Sequence, residues 1–193
     1  GTNGVVTTSI SSFADHTRRL QIQPDGKILV LASNSLSGTG APAGAAIHRF
    51  LPNGDYDETF AWRGKLSIGG LRDFDLLPDG RILTVATIYD YPTHGQICRW
   101  MINGEIDLTF GLNGCVGVTG GSRFETRRIR LQTDGKIIVA GPTNSGTTLF
   151  ARLHADGGPD TSFGNAGYAA GPGGDFDFYS IGPWVLDKLG ALE

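Results

Sequence analysis

Two short turn signatures recur three times along the chain, and this internal repeat limits the fold more than any other feature of the sequence. In the first, an Asp-Gly pair is followed by a basic residue and two aliphatic residues; its copies begin at Asp25, Asp79 and Asp134. In the second, Asn-Gly or Asp-Gly precedes an aspartate and then Thr-Phe or Ser-Phe, with the aspartates at positions 57, 107 and 160. Both keep a period of roughly fifty residues, which is typical of a tandem array of small structural units.

The residue types of both signatures predict hairpin turns. Glycine adopts positive φ without steric cost, so Gly26, Gly80 and Gly135 suit the corner that follows each aspartate. Asn-Gly and Asp-Gly pairs are also the strongest short-range signal of a hairpin. Each signature therefore marks the tip of an antiparallel strand pair.

The segments around these tips predict four strands in each repeat. In the first repeat, alternating apolar and polar residues at 20–23 precede the first tip, and the apolar run 28–32 follows it. Further strands are predicted at 47–51 and 65–68, on either side of the second tip. Four antiparallel strands are the content of one β-propeller blade, so we expect an all-β, propeller-type array of four-stranded blades.

The repeat predicts where the chain divides. We expect a single array at 1–193 with repeats at 4–60, 61–110 and 111–163 and a partial fourth at 164–193. Gly- and Pro-rich stretches of differing length are predicted as loops between the third and fourth strands, where binding specificity commonly resides; they lie at 35–44, 91–95 and 141–148.

Composition agrees with this fold and excludes several functions. Thirty glycines and nine prolines favour many short strands joined by turns, and no long window has apolar residues at helical spacing. A net charge of -3 gives no basic surface for nucleic acid or anionic membrane, and the longest apolar runs are too short to span a bilayer. Two cysteines, Cys98 and Cys115, are too few for a disulfide framework, and a single bridge between them stays open.

Each repeat has an arginine eight residues before the aspartate of its second tip. The pairs are Arg49 with Asp57, Arg99 with Asp107, and Arg152 with Asp160. We interpret them as partly buried ion pairs that hold the turn, with the following Thr or Ser hydroxyl capping local backbone groups. A pair present in every repeat favours an architectural role over a ligand site.

A second set of arginines is the strongest candidate for ligand binding. Arg18, Arg72 and Arg127 each stand seven positions before a first-tip aspartate. Alternation predicts that they lie near the beginning of a strand, on the face of Leu20 and its equivalents. Three arginines there would line a channel or blade rim with positive charge and attract a carboxylate or phosphate; the alternative is three strand-end arginines paired with neighbouring carboxylates.

Sequence signals for catalysis, metals and cofactors are weak. The segment 141–148 imitates a phosphate-binding loop, but Thr147 stands where the lysine belongs and a strand is predicted where the helix should follow. The four histidines fall at unrelated repeat positions without zinc-ligand spacing, and no nucleophile elbow occurs. We expect no metal, no cofactor and no catalytic residue.

The paired signatures resemble the delta-60 repeat, a bacterial β-propeller repeat with the pattern Gln-Pro-Asp-Gly-Lys-Ile, Ala-Arg-Leu, Asp-Gly and Asp-Thr-Ser-Phe-Gly. The match is best at 132–167, whereas Ala61 and Trp62 replace the glycine after Phe60 in the first repeat. The resemblance implies a bacterial, secreted or surface-attached repeat protein without an assigned catalytic activity.

These observations predict a noncatalytic module that binds a partner protein or glycan, or serves as a scaffold. Candidate stacking aromatics are Tyr89, Tyr91, Trp62 and Trp184. The alternatives are a carbohydrate-active propeller enzyme with two facing carboxylates, and a purely structural spacer. Because three repeats leave open edges, we expect either a homo-oligomer that completes the propeller or further blades in a longer chain.

Overall fold

The computed structural model describes residues 4–7, 15–35, 42–120 and 123–173. Across these ranges the chain forms strands and turns with no helix, which confirms the predicted all-β class. None of the described residues forms a helix long and apolar enough to cross a membrane.

The strands assemble into three antiparallel four-stranded sheets, each in sequential order. The first sheet contains β1 (Asp15–Ile22), β2 (Ile28–Ser35), β3 (Pro42–Phe50) and β4 (Lys65–Ser67). The second contains β5 (Leu71–Leu76), β6 (Ile82–Ile88), β7 (His94–Trp100) and β8 (Cys115–Val118). The third contains β9 (Arg128–Leu131), β10 (Ile137–Pro142), β11 (Thr147–Leu153) and β12 (Tyr168–Gly173). This sequential order is that of β-propeller blades.

The first-signature turns have the same geometry in all three sheets. Gly26, Gly80 and Gly135 have φ of 83°, 86° and 84°. Each aspartate before them accepts a hydrogen bond at Oδ1 from the backbone amide two residues later, at 3.0–3.1 Å. Equivalent residues therefore occupy equivalent surroundings, as the repeat predicts.

Another corner, after each signature Phe, keeps its conformation where the first repeat departs from the pattern. Gly111 and Gly164 begin this corner with φ of 54° and 56°, and Ala61 adopts 46° at the same place. Alanine disfavours this left-handed conformation, so the frame holds Ala61 against its intrinsic preference. The corner is set by the surrounding hydrogen bonds rather than by the residue alone.

The sheets divide the chain at other points than the predicted repeats. The boundaries after residues 60, 110 and 163 fall inside the three sheets, because the short strand after each Phe corner pairs back onto the third strand of its own sheet. Thus β12 completes the third sheet rather than opening a fourth, and residues 174–193 lie outside the described residues. A repeating sequence fixes the period, whereas hydrogen bonding fixes where a unit begins.

The same pairing corrects the position of the variable loops. They connect the second and third strands of each sheet, not the third and fourth. Because neighbouring strands are antiparallel, these connections lie at the end of the sheets where the first strands begin, which we call the loop end.

Apolar side chains pack between successive sheets. Between the first and second sheets lie Leu31, Ile47 and Phe74, and between the second and third lie Val85 and Ile129. The first strands lie near one another, β1 beside β5 and β5 beside β9, so they converge toward a common axis.

A disulfide joins the last two strands of the second sheet. Cys98 and Cys115 are cross-strand partners on β7 and β8, and their Cα atoms are 4.1 Å apart. The sequence left this bridge as one possibility, and in the structure the two cysteines are bonded.

Equivalent positions on the first strands differ sharply in burial. Phe74 and Ile129 are fully buried against the preceding sheet, whereas Leu20 is 55% exposed because no described residues pack on that face of the first sheet. Inter-sheet packing, rather than the fold of a single sheet, supplies the core.

We therefore expect Phe74→Ala to lower the free energy of unfolding by about 3–5 kcal/mol. The matched Leu20→Ala change should cost about 0.5 kcal/mol or less, since its side chain is already largely hydrated. Urea denaturation followed by tryptophan fluorescence measures both. Equal losses in the two variants would contradict packing of successive sheets through this position.

Candidate functional site

An aspartate at the second tip of each sheet gathers hydrogen bonds from three segments of the chain. In the second sheet, Arg99 Nε donates to Asp107 Oδ2 at 2.7 Å, and Arg81 Nη1, beside the first tip, donates to the same oxygen at 2.9 Å. The Thr109 hydroxyl donates to Asp107 Oδ1 at 2.6 Å, and its backbone amide donates at 3.0 Å. One carboxylate thereby connects both tips of its sheet.

The other sheets repeat this arrangement. Arg49 lies 2.9 Å from Asp57 and Arg152 lies 2.7 Å from Asp160, each through Nε and Oδ2. The basic residues after the first tips, Lys27 and Lys136, approach the same carboxylates at 3.7 and 3.2 Å. The hydroxyls of Thr59 and Ser162 donate to the aspartate rather than capping backbone groups, which differs from the expected turn.

These contacts lower the pKa of the aspartates. Burial alone would raise the pKa of Asp107, but hydrogen bonds from Thr109, Arg81 and Arg99 outweigh it and hold the value well below the ordinary one. The pKa of Asp160 is lowered first by the Ser162 hydroxyl, against burial and with further help from Lys136, the Ser162 amide and Arg152.

The arginines of these clusters also reach the following sheet. Arg49 Nη1 donates to the Ile102 carbonyl at 2.6 Å, and Arg99 Nη1 donates to the Ala155 carbonyl at 2.9 Å. Each guanidinium also lies over the signature Phe of its own sheet, at 4.5–4.9 Å from the ring centre. With so many internal partners, these residues support the frame and offer little to a ligand.

A second charged network spans the first strands of all three sheets. Arg19 of β1 lies 2.8 Å from Asp75 and 3.6 Å from Asp73 of β5, and Arg130 of β9 lies 2.9 Å from Asp73. Gln21 also donates to Asp75, at 2.6 Å. Burial lowers the pKa of Arg19, aided by Arg130 and opposed by Asp73 and Asp75.

Backbone amides complete this network. Asp73 Oδ2 accepts from the Ile129 amide at 3.3 Å, and Asp75 Oδ2 accepts from the Leu131 amide at 2.8 Å. The aspartates of the middle sheet therefore tie β1 to β9 at the axis, although the sheets that contain those strands are not consecutive in the chain.

A cavity of about 440 Å³ lies beside this network, where the first strands begin. Its lining residues come from all three sheets and comprise five arginines, one aspartate and one threonine: Thr17, Arg18, Arg19, Arg72, Asp73, Arg128 and Arg130. Five arginines against one aspartate leave a strong local excess of positive charge on a chain whose net charge is negative.

The predicted arginines divide between two environments. Arg18 and Arg72 line the cavity, whereas Arg127 is not among its lining residues and pairs with Glu125 at 2.8 Å. Arg18 donates to the Ser33 hydroxyl at 3.0 Å, and Arg72 donates to the Tyr89 hydroxyl. Of the candidate aromatics, Tyr89, Tyr91 and Trp62 are exposed; Trp184 lies outside the described residues.

Bulges occur in the first strands at the positions of two of these arginines. The pairing of β1 shifts register between residues 17 and 19, and that of β5 shifts between 71 and 73. Arg18 and Arg72 are the extra residues, so simple alternation does not apply to them.

Sequence reasoning missed the other cavity and network residues, although a signal for them exists. Two positions per first strand, six and four residues before the first-tip aspartate, are polar in every repeat: Arg19 and Gln21, Asp73 and Asp75, Arg128 and Arg130. Alternating polar residues mark one polar face on each first strand, but the same pattern is typical of a strand that faces solvent, so the pattern alone does not identify an axial site. No group of three metal-binding side chains occurs in the part of the chain that the structure describes.

Comparison with known families agrees with this architecture. Residues 23–60 and 132–163 match the model of a family described as a domain of unknown function (DUF5122) beta-propeller. Each matched segment begins beside a first tip and ends at a signature Phe. No curated protein matches the chain.

The lowered pKa values predict acid sensitivity. Because the folded-state pKa of Asp107 lies below the unfolded value of about 3.9, its contribution to stability is fully present above that pH and is lost as the pH falls further. Asp107→Asn should cost about 3–5 kcal/mol at pH 7, since it leaves Arg99 without its carboxylate. It should also flatten the decline in the unfolding free energy below pH 4, measured by urea denaturation at pH 7, 4 and 3.

Asp156→Asn is the matched control, because Asn53 and Asn103 occupy the equivalent position in the other sheets. Its free energy of unfolding should stay within about 0.5 kcal/mol of the parent. An unchanged acid profile in Asp107→Asn would show that this carboxylate is not linked to folding.

Proposed function

We propose that this chain is a noncatalytic β-propeller module that binds a partner protein or glycan at the loop end of its sheets. The observation that carries the proposal is the axial cavity, to which all three sheets contribute arginines. Its volume of about 440 Å³ falls within the range of small-ligand sites. The excess of guanidinium groups favours an anionic group on the ligand.

The contacts of the axial carboxylates favour binding over catalysis. A carbohydrate-active enzyme requires two facing carboxylates. Asp73 and Asp75 are the candidates for such a pair, because the equivalent positions of the other repeats carry no carboxylate. Both carboxylates already accept hydrogen bonds from arginine and backbone amide donors. These internal contacts favour a role in holding the first strands together.

We place the protein in a bacterial secreted or surface-attached setting, as the resemblance to delta-60 repeats implies. The Cys98–Cys115 disulfide supports this placement, because disulfides persist in oxidising compartments and are rare in the cytosol. The exposed Leu20 and Ile22 support association with a further blade, from another copy or from a longer chain.

The binding proposal is tested with a glycan array and a panel of small carboxylates and phosphates. We expect saturable binding to an anionic probe that weakens as salt increases, with loss of about tenfold in affinity in Arg18→Gln. Arg63→Gln is the matched control, because Arg63 is exposed and does not line the cavity. Recovery of the bound glycan unchanged by mass spectrometry supports a noncatalytic module.

Two results would contradict the proposal. Cleavage of a glycan by the parent protein, abolished in Asp73→Asn, would favour the enzyme. Binding of no probe, in a protein shown to be folded by circular dichroism, would favour a structural spacer.

The disulfide on which this placement rests is tested by removing it. Cys98→Ser with Cys115→Ser should lower the free energy of unfolding by about 3 kcal/mol, as expected for a bridge that closes a short loop. Reductant should destabilise the parent against thermal unfolding by about as much as the double substitution does. The double variant should not respond to reductant. A parent that reacts with a thiol reagent when folded and unreduced would refute the bridge.

A further inference from the structure

The cavity wall has an unusual chemistry for a ligand site, because none of its lining residues is apolar. Most small-ligand pockets are lined mainly by hydrophobic and aromatic groups. Here the wall offers guanidinium donors, together with the Thr17 hydroxyl and the Asp73 carboxylate as acceptors. Such a wall suits a ligand that carries both an anionic group and several hydroxyls.

Several guanidinium groups retain unused hydrogen-bonding capacity. The Nε atoms of Arg19, Arg72 and Arg130 are buried and have no hydrogen-bond partner within the described residues. Buried polar groups are nearly always paired in folded proteins, so these three donors leave the arginine cluster short of acceptors. A carboxylate accepts two parallel hydrogen bonds from one guanidinium and fits this requirement.

One cavity residue connects the charged wall to an exposed aromatic ring. Arg72 donates to the Tyr89 hydroxyl, and its guanidinium carbon lies 5.6 Å from the centre of the Tyr89 ring. Tyr89 follows the last residue of β6 at the loop end and is 56% exposed. Tyr89 is not itself a lining residue, but its exposed amphipathic ring contacts one, so a ligand that extends from the cavity along Arg72 would reach it.

We propose that the axial cavity binds the carboxylate of an acidic sugar, a hexuronic acid unit of a glycan, and that the Tyr89 ring packs against the face of the sugar. This inference rests on the proposed function and specifies its ligand. The arginines pair with the carboxylate, and Thr17 and Asp73 accept from sugar hydroxyls. An acidic peptide such as oligoglutamate fits less well, because it supplies carboxylates but neither hydroxyls for Thr17 nor a sugar face for the Tyr89 ring.

The inference is tested by calorimetric titration of the folded chain with an oligogalacturonate. The comparison ligands are its carboxyl-reduced neutral form, inorganic phosphate and an oligoglutamate. We expect the oligogalacturonate to bind at least about tenfold more tightly than each of the others, because only it offers both the charge and the ring face.

Variants separate the two parts of the site. Arg18→Gln should weaken oligogalacturonate binding about tenfold, while Arg63→Gln should leave it unchanged. Tyr89→Ala should also weaken binding about tenfold, whereas Tyr89→Phe, which keeps the ring, should stay within about twofold of the parent. Circular dichroism and thermal unfolding of each variant establish that it is folded.

The outcomes distinguish this inference from the broader proposal. Equal binding of the carboxyl-reduced form, or equal loss in Tyr89→Phe and Tyr89→Ala, overturns the acidic-sugar inference while leaving a binding module. Tighter binding of oligoglutamate or phosphate that depends on Arg18 also overturns it and assigns the cavity to another anion. Binding of no anionic probe overturns both.

Discussion

The carboxylate at the second tip of each sheet is the interaction on which the frame depends. Asp107 accepts hydrogen bonds from Arg99 on β7 and from Arg81, which lies just after the first tip. It also accepts one from the Thr109 hydroxyl, two residues further along the chain. Its arginine partner then reaches a carbonyl of the next sheet. A single buried acceptor thus links two hairpins within a sheet and, through one guanidinium, links that sheet to its neighbour. Removing it would leave buried cations unpaired, which explains why the pair recurs without variation.

Packing between sheets is the second constraint, and it depends on the first. The buried Phe74 and Ile129 lie on the strands whose ends the carboxylate clusters hold in place. Leu20, at the same position of the first sheet, contributes little because the opposite surface is missing from the described chain. Stability in such an array is approximately a sum over neighbouring contacts, so the terminal sheets are less well supported than the middle one.

Much of this frame could be predicted from the sequence, because its determinants are local. Gly26 must have positive φ in a tight turn, and Arg49 lies opposite Asp57 because a hairpin brings them together. The axial site could not be predicted in the same way. The contact of Arg19 with Asp75 depends on which strands converge, and a bulge at Arg18 shifts the side chains away from simple alternation. Neither feature leaves a signature within one repeat.

The axial residues differ among the sheets for a physical reason. If every first strand carried arginine six and four residues before its tip, the converging cations would repel one another in a partly buried space. Aspartates in the middle sheet, between Arg19 and Arg130, relieve that repulsion and still leave the cavity with an excess of positive charge. A site built from identical repeats would also present the same group from each side. Because the three sheets supply different side chains at equivalent positions, the charges around the axis are arranged asymmetrically, which a uniform ring of arginines could not achieve.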